Sequence, residues 1–115
     1  MRKTSLTAHA RELLERARRE ASGRSSDTLV GGHEQVLRQT VVALLAGQTL
    51  GEHEGPGEAT LQVLRGRVRL SAPTATWEGW EGDLLIVPTE RHSVTAIEDA
   101  AFLLTVAKAL RSPGP

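Results

Sequence analysis

The chain holds four histidines and no cysteine. Three of the histidines, His33, His53 and His92, fall in a region of short β-branched and apolar runs. His53 stands among acids, in Glu52-His53-Glu54, with Glu58 four residues beyond Glu54. Imidazoles and carboxylates together are the donor set of a divalent-metal centre, which takes three or four protein ligands. Neutral imidazoles also serve as hydrogen-bonding groups in the wall of an organic-ligand pocket, or as satisfied polar groups in a filled core. The residues by themselves leave these three readings open for His53 and His92. His33, in Gly31-Gly32-His33-Glu34, reads as a surface or capping residue, and His9 as a solvated one. The absence of cysteine excludes a disulfide framework, a thiolate zinc site and a cysteine nucleophile. No phosphate loop, nucleotide fingerprint or nucleophile elbow is present.

The elements that must position these histidines have two different periods. Residues 5–22 read as a helix, because Leu6, Ala10, Leu13, Leu14, Ala17 and Ala21 recur every three or four positions and form one apolar stripe. Gly23 stands where a helix stops, and residues 23–27 read as a linker by composition. Short runs at 36–45, 59–64, 67–70, 74–77, 83–87, 93–97 and 101–107 follow, with glycine or proline between most of them. Many short strands punctuated by turn signals predict a sandwich or barrel. The chain of 115 residues is one domain's length. Its longest apolar run, residues 41–46, is far short of the ~20 residues that cross a bilayer as a helix. No apolar run of signal-peptide length follows Met1-Arg2-Lys3, so the expected setting is soluble and cytoplasmic.

Charge narrows the partners. Lys and Arg number 14, as do Asp and Glu, and only 3% of the chain is aromatic. A domain built to neutralise phosphates is normally basic, and one that stacks bases needs aromatic platforms. The first 24 residues do carry seven basic side chains against three acidic ones. The interleaved acids favour a solvated helix face over a nucleic-acid contact. Arg67 and Arg69 alternate with Val68 and Leu70, so they are expected on a wet sheet face, paired with acids. Trp77 and Trp80 read as core or dimer packing, with a pocket wall as the alternative.

Two blocks carry a family likeness. Leu64-Arg65-Gly66-Arg67-Val68 closes the block around His53, and Gly82-Asp83-Leu84-Leu85-Ile86-Val87-Pro88 leads to His92. In this order and in a chain of this length they resemble the two motifs of the cupin superfamily, over residues 36–108. The resemblance implies an all-β fold, a small antiparallel jelly-roll or conical β-barrel, preceded by one N-terminal α-helix. Residues 1–24 would be the helical extension and residues 28–110 the barrel domain. Gly66 would turn the chain between two paired strands. The strand ending at Pro88, apolar on both faces, would be central. His92 would start a strand beside the one bearing His53, so that two imidazoles converge inside the barrel.

The departures from the motif shape the functional expectation. Aligned on Gly66, His53 falls at the first motif histidine, but Gly55 falls at the second and Ala59 at the glutamate. The loss favours a cupin that binds a small molecule in its barrel, non-catalytic or sensory, with His53, His92, Leu61, Val63 and Trp77 as lining residues. The alternative is a metal-dependent oxygenase or isomerase, with iron, manganese, zinc or nickel on His53, His92 and a nearby acid, Glu58. A second alternative is a regulatory protein that touches nucleic acid through its N-terminal helix. A homodimer is expected, with residues 36–45 as the shared edge and no membrane partner.

Overall fold

The computed structural model describes residues 2–53 and 57–108, and the side chains of all of these except Glu52 and His53. Helix α1 (Leu6–Arg19) opens on Ser5, whose Oγ accepts from the Ala8 N–H at 3.2 Å, a cap for one of the helix's otherwise unpaired amides. Ala10, Leu13, Leu14 and Ala17, all on the predicted stripe, are buried. Among the described residues nine strands follow: β1 (Arg24–Val30), β2 (Leu37–Leu44), β3 (Thr49–His53), β4 (Gly57–Arg65), β5 (Arg67–Ser71), β6 (Thr76–Trp80), β7 (Leu84–Val87), β8 (His92–Ala96) and β9 (Ala100–Lys108). They form a five-stranded sheet in the order β1-β2-β9-β4-β7 and a four-stranded sheet in the order β3-β8-β5-β6. Every strand pairing among the described residues is antiparallel. The architecture is the expected jelly-roll with an N-terminal helix.

Two apolar cores result. The inner faces of the sheets enclose Val42, Leu44, Leu61, Val63, Val68, Leu70, Val94 and Phe102, among others. Phe102, the chain's only phenylalanine, is fully buried there. The outer face of the larger sheet offers Val41, Ala43, Ala101 and Leu103 to the helix stripe. Strands β2 and β9 supply both cores, because successive residues of a strand point to opposite faces. Ion pairs at the helix rim, Arg16 with Asp27 at 3.3 Å and Arg18 with Asp99 at 3.5 Å, are largely exposed. Such pairs contribute ~0–1 kcal/mol, so apolar burial holds the helix in place.

Five expectations are corrected. Residues 24–27 are not a linker but the start of β1. Their polarity serves the helix: Ser25 Oγ donates to the Leu13 carbonyl at 2.6 Å, and Asp27 meets Arg16. His9 is half-buried rather than solvated, with Nδ1 3.9 Å from Asp27 Oδ2. Residues 36–45 form no shared edge, since β2 lies between β1 and β9. The two-faced apolar strand ending at Pro88 is not central, since β7 is the last strand of its sheet. Gly66 does not join two paired strands. It carries the chain from β4 in one sheet to β5 in the other.

The Gly66 crossing is tightly constrained. Its φ of 76° lies in the left-handed region, and a Cβ there would stand 2.1 Å from the Asp99 carbonyl oxygen. Both the backbone conformation and the space demand glycine. Gly66→Ala is therefore expected to lower stability by roughly 2–4 kcal/mol, measured by urea unfolding. An unchanged midpoint would show that the crossing relaxes freely.

Candidate functional site

Strands β3 and β8 pair in a register that sets His53 directly opposite His92. The backbone thus brings the two histidines together, as the resemblance implied. His92 is only 5% exposed, and its Nδ1 lies 2.9 Å from the Glu90 carbonyl oxygen. A carbonyl only accepts, so Nδ1 carries the proton and, in the neutral ring, the lone pair stays on Nε2. That is the tautomer of a hydrogen-bond acceptor or a metal ligand.

The surroundings follow from strand registers. Leu70 pairs with both Val94 on β8 and Trp77 on β6. Leu70 and Val94 are buried, so Trp77 shares their inner face, at 42% exposure. In the other sheet, Ala59 is opposite Val87 and Val106. Ala59 is half-buried against the barrel core, as are Leu50 and Leu104. Thr40, opposite Leu104 on β9, bonds its hydroxyl to that of Thr28 at 3.1 Å. Arg38, opposite Val106, stands at the rim of the same inward row. One end of the barrel is thus partly open and mixed in polarity, while the rest is packed.

The remaining candidates fall in different places. Leu61 and Val63 are fully enclosed by neighbouring core side chains and lie below this open end. Glu58 is exposed and alternates with Ala59 and Leu61, so it occupies the outer face of β4, away from His92. Glu54 and Gly55 lie outside the described residues. Among the described residues, no group of three histidine or acidic side chains gathers. Glu58, on the outer face of β4, does not join His92 in a ligand set. Thr40 and Arg38 were missed in the sequence. The alternation of Arg38, Thr40 and Val42 is their only signal there, and reading it requires knowing which face is inward.

A second polar cluster lies on the outside of β5 and β6. The Glu78 carboxylate accepts from Arg67 Nε at 2.8 Å, from the Arg67 terminal nitrogen, and from Arg69 at 3.1 Å. The Arg67 guanidinium sits 4.6 Å from the centroid of the Trp80 ring, a cation–π distance. Both arginines pair with an acid on a wet face, as expected. Trp80 is half-exposed under Arg67 rather than in the core.

Comparison with solved structures identifies the class. The conserved SPY1581 protein of unknown function from Streptococcus pyogenes matches at a TM-score of 0.71 and 32% identity, over 80% of each chain. A cupin superfamily protein from Desulfitobacterium hafniense matches at 0.69 and 16%, over 75% of this chain and 78% of that one. The salicylate 1,2-dioxygenase of Pseudaminobacter salicylatoxidans matches at 0.73 and 18%, over 87% of this chain and 33% of the enzyme. No protein-family model matches the chain, and no curated protein matches it. With its two antiparallel sheets and leading helix, the molecule is a cupin-fold protein. At the level of sequence it belongs to the same family as the streptococcal SPY1581 protein. Among the described residues, no helix is long and apolar enough to cross a membrane.

The Glu78 cluster makes a pH prediction. The hydrogen bond from Arg67, then that from Arg69, holds the Glu78 carboxyl below the usual glutamate range. A carboxyl with a lower pKa folded than unfolded stabilises the fold above its unfolded value, and the effect is lost as pH falls through the folded value. Wild type is expected to lose stability below about pH 4.3 more steeply than Glu78→Gln. Urea midpoints across the acid range check this, and parallel profiles would refute it.

Proposed function

We propose that this cupin binds a small polar organic molecule at the open end of its barrel and does so without metal catalysis, as a carrier or sensor. The observation that carries this reading is His92. It is a buried imidazole at the rim of an apolar barrel, with its proton held by the Glu90 carbonyl. Small-molecule sites characteristically combine an apolar wall with a few fixed polar groups. Here Leu50, Ala59, Leu104 and Trp77 make the wall, while Leu61 and Val63 lie in the packed core beneath it and do not line the site. His92 and the Thr28–Thr40 hydroxyls give direction. Arg38 at the rim offers a guanidinium to an acidic substituent.

Ala59 supports the non-metal reading. In the cupin motif a glutamate stands at this position. Here a methyl group faces the barrel between Val87 and Val106. A ligand place at the inner wall has thus become part of an apolar surface. The likeness to a dioxygenase, at 18% identity, concerns the fold, and fold does not decide function.

Two measurements test the reading. A thermal-shift screen of small organic acids and their neutral analogues should yield a compound that raises the melting temperature by several degrees at saturation. His92→Ala should lose that shift. Metal analysis of the untagged protein is the opposing arm. Near-stoichiometric iron, manganese, zinc or nickel, absent from the His53→Ala/His92→Ala double variant, would overturn the proposal in favour of a metal-dependent oxygenase or isomerase.

A further inference from the structure

The helix does not complete the cover of the larger sheet's outer face. Its apolar stripe ends at Leu6, and the chain before it brings Arg2, Lys3 and Thr4 beside the end of β1. A groove of about 700 Å³ lies between them, within the ~300–1,000 Å³ of sites that hold one small molecule. Leu6, Leu29, Val30 and Leu103 give it an apolar lining. Leu103 is buried, but the other three are only half-buried. Hydrocarbon therefore stays open to solvent where the helix runs out.

Strand β1 shapes this groove. Its ladder with β2 is regular from Arg24 to Thr28 and resumes with Val30 opposite Gln39, which leaves Leu29 as the extra residue of a β-bulge. A bulge bends its strand and re-aims the side chains around it. Two successive residues, Leu29 and Val30, thus both line the groove. Gln39 lines it from β2. Its Nε2 donates to the Thr105 hydroxyl at 3.1 Å, and an amide nitrogen has a second hydrogen to give.

The charge around the groove has one sign. Arg2 and Lys3 stand on its wall, and among the described residues no ion pair engages either. The first turn of the helix has no acid. The single acid of β1, Asp27, is held by Arg16 at 3.3 Å. Two cations beside open hydrocarbon complement a molecule with an anionic head and an apolar body. Nucleic acid is a poorer match, since the lining has no aromatic ring on which a base could stack.

We propose that this groove binds a medium-chain aliphatic carboxylate, with its head at Arg2 and Lys3 and its chain along Leu6, Leu29, Val30 and Leu103. A guanidinium takes both oxygens of a carboxylate in parallel. The site is on the outside of the larger sheet, whereas His92 belongs to the smaller sheet and the barrel interior, so it does not depend on the barrel reading. A bound chain touches the start of the helix, β1 and β9 together, and so also holds the helix on its dock.

Amide NMR shifts of the isotope-labelled full chain, titrated with hexanoate, octanoate and decanoate and with 1-octanol as the neutral analogue, test this. The expected result is saturable shifts centred on Leu6, Leu29, Val30 and Gln39, with affinity rising about two- to fourfold per added methylene. Arg2→Glu/Lys3→Glu should weaken octanoate about tenfold and leave 1-octanol unchanged. Both residues are exposed and precede the helix, so the variant should keep the wild-type circular dichroism. His92→Ala should bind octanoate as wild type does, which separates this site from the barrel. Shifts centred on β8 and lost in His92→Ala would put the carboxylate in the barrel and overturn the proposal. Shifts at the groove that follow protein concentration without ligand would give it to a second copy and overturn it too. The absence of any saturable shift, or a double variant that binds octanoate unchanged, has the same consequence.

Discussion

Ala100, Ala101, Phe102 and Leu103 are four successive buried residues at the start of β9, and neighbouring strand residues point to opposite faces. The strand must therefore be covered on both sides. Phe102 reaches into the barrel and meets the inner residues of the facing sheet. Ala101 and Leu103 reach outward and meet the helix. Ala43 and Ala101 of the sheet share one buried cluster with Ala10 and Ala17 of the helix, so small side chains make up much of this contact. The position of β9 between β2 and β4 thus fixes the barrel, the helix dock and the spacing between them. Losing Phe102 would open a void at the centre, a change that typically costs about 3–5 kcal/mol.

The barrel is not uniformly packed along its length. At the Gly66 end, Leu44, Val63, Val68, Ala96 and Phe102 pack tightly, and the chain crosses between sheets too closely for any side chain at Gly66. At the other end the inward row changes to threonine, histidine and arginine beside half-buried apolar residues. A packed end gives rigidity to the residues that line the open one. His92 benefits directly, because it begins a strand held on one side by β3 and on the other by β5. Its ring orientation is set by a backbone carbonyl two residues earlier, a local contact that needs no other element.

Strands β7 and β9 make an instructive pair. Both are apolar at successive positions, the pattern of a strand buried on two faces. For β9 the pattern means burial against barrel and helix. For β7 it means burial on the barrel side and exposure on the other, where Leu84 and Ile86 are largely open to solvent. An identical pattern thus has opposite outcomes according to strand order. In β7 the unburied face belongs to the last strand of its sheet, with no helix laid over it among the described residues.

Periodicity alone determined much of this protein. The helix stripe, seven of the nine strands and the turns at Gly66 and Gly82 are legible because they depend on local spacing of apolar residues and on backbone freedom at glycine. The cupin likeness and the facing of His53 and His92 were legible too, since motif order carries strand pairing implicitly. Strands β1 and β3 were not. The first is polar because its Ser25 and Asp27 serve the helix, and the second is short and glycine-containing. Tertiary structure alone decided that β7 lies at an edge, that β2 does not, and that Glu58 turns away from His92 while Arg38 and Thr40 stand on the inward row. The reason is that alternation reveals two faces without labelling them. Which face is inward, and which strand is last, depends on pairings between residues far apart in the chain.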